Sequence, residues 1–519
     1  RTPPLVASAA AVTPHFLATA TALDLLVSGG SAIDAAIGAN AVLSVVAPET
    51  CGIGGDLFAL IHSPGDDRPA ALNASGRAGA NVDAQRLRDA GHPEMPTMDQ
   101  SSVTTPGCVD GWHHLAAHGG KLSWKELLAP ALTYAREGFP ASEELSRALA
   151  KRVAEIGDQP IGRYLLPGGR PPRPGDQIVR PDQAATLEII ATGDRDGFYL
   201  GKPGRDIAAA VGGLITEQDL NTDQGDWVEP LGLDVFGLRA WTMPPNSQGY
   251  LTLASAAVFE RTAAGIEPES PVGWHLQIES YRSQVADRSA VLSDPRHSPY
   301  PADSLLSDKR LAVRIDHERR QSYGSPSAGS GGTAYLCVID GNGMGVSITQ
   351  SNFMGLGTSI GAGDSGFFLH NRGAGFDLRP GSPNELAPGK RPLHTLAPTL
   401  WTNRSQLAAL LGTRGGDHQP QLLLQMAIHL FVSGHDAATA QAHPRWVIET
   451  LADPEARIAV EESTPTEIVD GLRARGHQVE IAKGLQGGWG PVGVIRVSPD
   501  GSVEAAADPR VGTAAAESL

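Results

Sequence analysis

Near the start of the chain, apolar positions fall into two helical registers followed by an extended one. Residues 17–29 carry apolar side chains at helical spacing and close on Gly29-Gly30, a good helix stop. Ala32–Val46 is apolar on nearly every side and ends before Pro48, which predicts a second helix buried all round. Cys51-Gly-Ile-Gly-Gly-Asp56 reads as a glycine-rich turn, and the short apolar run 57–61 as a buried strand. The Ala-rich stretch 5–27 contains His15 and Asp24, so it reads as the helix of a globular domain. Farther on, residues 122–151 return to helical spacing, and 167–174 form a proline-rich surface loop.

The sharpest change of pattern comes later. Residues 322–332 (SYGSPSAGSGG) are poor in apolar side chains and rich in Gly and Ser, the composition of a flexible, exposed segment. Directly after it, 333–340 (TAYLCVID) reads as a strand, Gly341-Asn342-Gly343 as a tight turn, and 344–349 as the returning strand. A slack linker therefore runs straight into the first residue of a buried hairpin. On composition alone, an interdomain linker accounts for it.

Length and composition narrow the function classes. A chain of 519 residues supports a large core and two or more structural units. With 41% hydrophobic and 19% charged residues it is ordinary globular material. A net charge of −16 argues against nucleic acid or an anionic membrane as partner. Cys51, Cys108 and Cys337 form neither a disulfide framework nor a metal knuckle, so neither metal nor cofactor is expected. No apolar run approaches the ~18 residues that span a bilayer. A cytoplasmic location is the default expectation, with a removed upstream segment left open.

Three motifs suggest other chemistries. Gly357-Thr-Ser359-Ile-Gly361 matches a serine-hydrolase elbow, but GAGDSG follows where that motif needs a helix, so a loop is expected. His114 and His118 are spaced for zinc on one helix face, yet no third ligand stands nearby, and a solvated face is expected. The glycine turn 52–55 lacks the Lys-Ser/Thr of a phosphate cradle and is assigned to packing near the active site.

Taken in chain order, a longer series of pieces resembles the γ-glutamyltranspeptidase family. They are Gly29-Gly-Ser-Ala-Ile-Asp-Ala-Ala36, Cys51-Gly-Ile-Gly-Gly55, Leu127-Leu-Ala-Pro-Ala131 and Ala135-Arg-Glu-Gly-Phe-Pro140. Met243-Pro-Pro245, Ala286-Asp-Arg288, Gly332-Thr333, Asp364-Ser-Gly366, Pro388-Gly-Lys-Arg-Pro392 and Gly415-Gly416 continue the series. The resemblance implies an α+β fold, the four-layer αββα sandwich of N-terminal-nucleophile hydrolases. It also implies a precursor cut between Gly332 and Thr333. The products would be a helix-rich large subunit, 1–332, ending in the linker, and a small subunit, 333–519, self-associated as one structural unit.

Cleavage would change the chemistry of Thr333. A strand threonine is a poor nucleophile, but a freed α-amine, with a reference pKa of about 7.7–8.0, takes the hydroxyl proton without a histidine. By the resemblance, Gly415 and Gly416 supply backbone donors for the oxyanion, although a Gly-Gly pair alone reads equally as a turn. Ser351 is matched to the hydroxyl that assists self-cleavage.

The pocket positions depart from the family. The residue expected to hold a substrate amine falls at Gly375, an expected asparagine at Phe353, a polar residue at Arg372, and a serine pair at His394-Thr395. The expected carboxylate-binding arginine falls at Ser75, with Arg77 two residues on. A pocket that loses an acid and gains Arg372, and Arg77 with it, favours a carboxylate-bearing acyl group without an α-ammonium. Relatives of this kind include oxamate-type amidohydrolases and hydrolases that remove oxalyl groups in antibiotic pathways, one of them across a C–C bond. The short segment 376–390, where the family carries a lid, favours water as acceptor. A genuine γ-glutamyltransferase or glutathione hydrolase is the alternative. An unprocessed binding relative is the alternative of another class.

Overall fold

The computed structural model describes residues 8–320, 332–448 and 457–519. Linker residues 322–331 lie outside the described residues, whereas Gly332 is already the first residue of a strand, Gly332–Ile339. Two antiparallel sheets are stacked. The larger has seven strands in the order Ala515–Ser518, Ala10–Thr13, Gly332–Ile339, Gly345–Phe353, Asp56–His62, Ala70–Ala74, Asp226–Val228. The other has six, in the order Val503–Ala506, Val492–Val497, Gln406–Thr413, Thr399–Asn403, Leu238–Thr242, Leu231–Val235.

Three apolar layers hold the stack together. Phe58, Leu60, Tyr335, Cys337, Leu400 and Leu410 fill the space between the sheets. On the outer face of the seven-stranded sheet, Ala32–Val46 and its neighbouring helices form a second layer. Tyr250–Thr262, Pro271–Val285 and Gln419–Ala427 pack a third on the outer face of the six-stranded sheet. The result is the expected αββα sandwich.

Local sequence explains the key elements. In Ala32–Val46 every residue is buried, and Ser31 and Asp34 cap its start reciprocally: the Asp34 carboxylate accepts from Ser31 N at 2.7 Å. Gly412 and Gly493 face each other across neighbouring strands. A Cβ on either would lie 2.0 or 2.7 Å from the Tyr335 ring, so the pair forms the slot that receives it. That close approach packs the end of strand Gln406–Thr413 against strand Gly332–Ile339.

Some expected elements differ. The Ala-rich start is not one helix: Ala10–Thr13 is a sheet strand and the helix is Phe16–Val27. The helical run 122–151 breaks at Gly138, which sits at φ 99° between helices Trp124–Glu137 and Glu143–Ala150. The returning strand runs past Thr349 to Phe353, carrying Ser351 within it. Among the described residues, no helix is long and apolar enough to cross a membrane.

Candidate active site

Thr333 and Ser351 meet because they lie on the two paired strands of one hairpin. Thr333 is buried, and its Oγ1 lies 2.8 Å from the Gly332 carbonyl oxygen and 3.3 Å from Ser351 Oγ. Ser351 Oγ donates to the same carbonyl at 2.5 Å and accepts from Phe353 N at 2.7 Å. The pairing slips between Gln350 and Phe353, a bulge that turns Ser351 toward the Gly332–Thr333 peptide. Phe353, on the far side of the bulge, is held at φ 75°, a left-handed conformation seldom taken by an aromatic residue.

The ring of Phe353 carries the next group. The Arg372 guanidinium stacks on it 3.9 Å from the centroid, and Arg372 Nη1 donates to Thr395 Oγ1 at 3.2 Å. Arg372 is completely buried, yet its Nε and Nη2 have no hydrogen-bond partner among the described residues. Burial pulls its pKa down to about 9, against the pull of Asp56 and Asp417, so it stays charged at neutral pH. A side chain at Gly375 has no room, since a Cβ there would lie 2.5 Å from Leu393 O.

Thr395 leads on to the glycine pair. Gln248 Nε2 donates to Thr395 O and to Gly416 O, both at 2.9 Å. Gly415 and Gly416 take φ 123° and 56°, positions that favour glycine. The segment is fixed on both flanks. Arg414 pairs with Glu144 at 2.6 Å, and Arg288 pairs with Asp417.

His394 is buried beside this chain but faces Asp56, with Nε2 3.1 Å from its carboxylate, while Nδ1 accepts from Leu396 N. This fixes the Nε2–H tautomer. Asp56 also accepts from Gly76 N at 2.9 Å and lies 3.8 Å from His370 Nδ1. Burial lowers the His394 pKa to about 3, so the ring is a neutral donor that orients Asp56.

Of the expected site residues, Gly332, Thr333, Ser351, Phe353, Arg372, His394, Thr395, Gly415 and Gly416 therefore assemble in one region. Arg77 does not. Its guanidinium turns outward to pair with Asp226 at 2.6 Å and to donate to Asp223 O and Gln224. Tied to Asp226, which also holds Arg391, it stands outside the chain of contacts that runs from Thr333 to Gly416, contrary to the expectation. Asp56, His370 and Gln248 were not singled out from sequence. Asp56 closes the glycine run 52–55, so its position beside that turn was the available signal.

The competing motifs lack the structural context their chemistry needs. Ser359 lies in a turn at φ 60°, with no helix after it. His114 bonds to Asp223 at 2.8 Å and His118 lies against Trp227, with no metal-type cluster around either among the described residues. The short segment 376–390 folds back on itself, with Phe376, Leu378 and Leu386 packed on Ala78, Val82 and Met95.

Comparison with known proteins fits this arrangement. The family model described as gamma-glutamyltranspeptidase matches residues 18–518. The glutathione hydrolase-like YwrD proenzyme of Bacillus subtilis is 33% identical over 96% of this chain and 96% of its own. The oxamate amidohydrolase proenzyme of Klebsiella pneumoniae is also 33% identical, over 98% of each chain. Among solved structures, a cephalosporin acylase from Bacillus halodurans superposes with a TM-score of 0.91 at 30% identity, covering 100% of this chain and 97% of that one.

Proposed function

This chain belongs to the γ-glutamyltranspeptidase family and is an N-terminal-nucleophile hydrolase, and from that premise we propose that it matures by cutting itself before Thr333 and then hydrolyses a short, carboxylate-bearing acyl compound. The two fragments, 1–332 and 333–519, stay together because each contributes strands to both sheets.

The uncut geometry supports the first step. Ser351 polarises the Gly332 carbonyl, and Thr333 Oγ1 sits beside it. Oγ1 attacks the carbonyl carbon, the C–N bond opens, and the hydroxyl proton passes to the departing nitrogen. Water then cleaves the resulting ester, leaving a carboxylate on Gly332 and a free amine on Thr333. In turnover that amine takes the Oγ1 proton as the acyl–enzyme forms and returns it to the leaving group. The N–H groups of Gly415 and Gly416 are the donors offered to the oxyanion.

One observation carries the substrate reading: Arg372 is a buried cation with two nitrogens unpartnered among the described residues. A carboxylate is the group that satisfies both, through the paired contacts a guanidinium forms. A γ-glutamyl group would also bring an α-ammonium. The position matched to its acid is Gly375, and the buried carboxylate that acts most strongly on Arg372, Asp56, is engaged by His394 and Gly76. The preferred substrates are therefore oxamate, oxalyl conjugates and related dicarboxylic half-amides, with water as acceptor. The relative named oxamate amidohydrolase supports this choice, and the one named glutathione hydrolase-like keeps γ-glutamyl hydrolysis as the second reading.

Turnover of γ-glutamyl-p-nitroanilide against oxamate and an oxalyl amide separates the two. A higher kcat/KM for the oxalyl compounds is expected. Efficient γ-glutamyl transfer to a dipeptide would overturn the substrate reading while leaving the threonine chemistry in place.

A further inference from the structure

Beyond the active-site region, the described residues contain two groups of side chains with metal-ligand chemistry. In one, His275 Nδ1 and His477 Nε2 are 2.8 Å apart, His275 Nε2 contacts Asp316 O, and Glu279 pairs with Arg282. The facing nitrogens of its two rings already bond to each other and Glu279 is paired with an arginine, so its ligand atoms are engaged. The other group, Glu269 with His429, His435 and His443, is different.

Its ligand atoms all lie within 4.8 Å of one another. Glu269 Oε1 is 2.5 Å from His435 Nε2, 3.4 Å from His429 Nδ1 and 3.8 Å from His443 Nε2. Four ligands around a tetrahedral Zn2+ at about 2.0–2.2 Å are separated by about 3.3–3.6 Å, so small side-chain shifts reach that geometry. His429 is buried, and its Nδ1, 3.4 Å from Glu269 Oε1, makes no well-aligned hydrogen bond among the described residues. The three imidazole rings stack nearly parallel, His443 lying 4.3 Å from His429 and 4.6 Å from His435. Stacked apolar ring faces explain some of the packing. They do not explain why three ring nitrogens gather around one carboxylate oxygen.

The backbone supports the same point. His429 lies in a widened π turn, Ile428–Val432, that continues Gln419–Ala427. Such turns are rare and cluster at functional sites. The chain then folds back, His435 N donating to His429 O at 3.0 Å, so that His435 and His443 return to the same spot.

We propose that Glu269, His429, His435 and His443 form a structural site for a single divalent transition-metal ion of the Zn2+ class. Four protein ligands with no open position mark a structural rather than a catalytic centre. Glu269 lies two residues before helix Pro271–Val285, and His429 lies in the last turn of the helical segment whose other end follows Gly415-Gly416. The ion fastens these two helices on the outer face of the six-stranded sheet. Sequence spacing conceals the set, because Glu269 precedes His435 by 166 residues.

The test uses full-length protein without a histidine tag, loaded with Zn2+ or Co2+ and then freed of loose metal by gel filtration. Wild type is expected to retain one ion per chain by elemental mass spectrometry. Its Co2+ form should show the intense visible absorption of four-coordinate cobalt. The double variant His435→Gln/His443→Gln, altered at two partly exposed positions, should retain none while still cutting itself and turning over substrate. Chelation should lower the Tm of wild type but not of the double variant. Wild type that retains no more metal than the double variant, or a pale six-coordinate Co2+ spectrum, overturns the proposal. The wild-type cobalt spectrum decides alone if the variant fails to fold.

Discussion

Arg372 lies flat on Phe353, 3.9 Å from the ring centroid, and the backbone N–H of Phe353 bonds to Ser351, the hydroxyl that touches both Thr333 and Gly332 O. One residue thus links the buried cation to the scissile peptide. It keeps a left-handed backbone to do so, a strain of about 1–3 kcal/mol that the surrounding packing must hold.

The first prediction concerns that cation. Removing one member of a buried, hydrogen-bonded charge pair typically costs about 2–5 kcal/mol. Arg372→Gln is therefore expected to lower kcat/KM for oxamate-type substrates by roughly 30-fold to several thousand-fold. Arg372→Lys keeps the charge but loses the fork and the stacking, so it should recover only part. Steady-state kinetics on charged and esterified substrates read the effect directly. An equal loss on the neutral ester would mean that Arg372 acts only through packing.

Maturation gives the second prediction. Thr333→Ala should remain a single 54.2 kDa chain on a denaturing gel, whereas wild type resolves into two fragments. Ser351→Ala should cut slowly, because the Gly332 carbonyl loses its 2.5 Å donor. Thr333→Ser should cut and retain measurable activity. Full hydrolysis by intact Thr333→Ala would place the chemistry elsewhere.

Much of this arrangement was legible in the sequence, and the reasons differ from residue to residue. Thr333 and Ser351 are 18 positions apart on a hairpin with a clear turn, so their meeting follows from local pairing. The buried helix Ala32–Val46 announces itself through a nearly all-apolar run that stops before Pro48. Asp56 and His394 are separated by 338 residues, and no local pattern reports such a contact. Arg77 was misjudged for the same reason, since its partner Asp226 comes from a remote edge strand. The strand Ala10–Thr13 was hidden because alanine is a strong helix former, and sheet pairing on both sides overrides that preference.

A third prediction follows from Glu49, whose backbone oxygen lies 2.9 Å from where a Cβ on Gly332 would be. Burial raises its pKa from 4.5 to about 8. An acid with a raised folded-state pKa binds its proton more tightly when folded. Its stabilising contribution is thus complete below pH 4.5 and is lost as pH rises toward 8. In the window from pH 6.5 to 8 the buried histidines with lowered pKa, such as His394 and His15, still carry unfolded-state protons near pH 6.5, but they do so equally in wild type and Glu49→Gln and cancel in the difference. Over this window wild type should lose stability at up to about 1.4 kcal/mol per pH unit relative to Glu49→Gln. Thermal melts at matched ionic strength check it, and parallel Tm profiles for the two proteins would refute it.

The last prediction separates the two ends of the site by their kinetics. Gly415 at φ 123° tolerates no ordinary side chain, so Gly415→Ala should distort the N–H groups offered to the oxyanion. Loss of one such donor costs about 10²–10³ in kcat, and because the donors act on developing charge, KM should hardly move. Gln248 is placed differently. Its single amide nitrogen holds Gly416 O on one side and Thr395 O on the other, and Thr395 in turn accepts from Arg372. Gln248→Met conserves volume but leaves both buried carbonyls without their donor, about 1–3 kcal/mol each. It should therefore lower kcat by about tenfold or more, through the Gly416 side, and also raise KM, through the loosened Arg372. A Gln248→Met enzyme with changed kcat and unchanged KM would show that the glycine pair and the buried arginine are set independently.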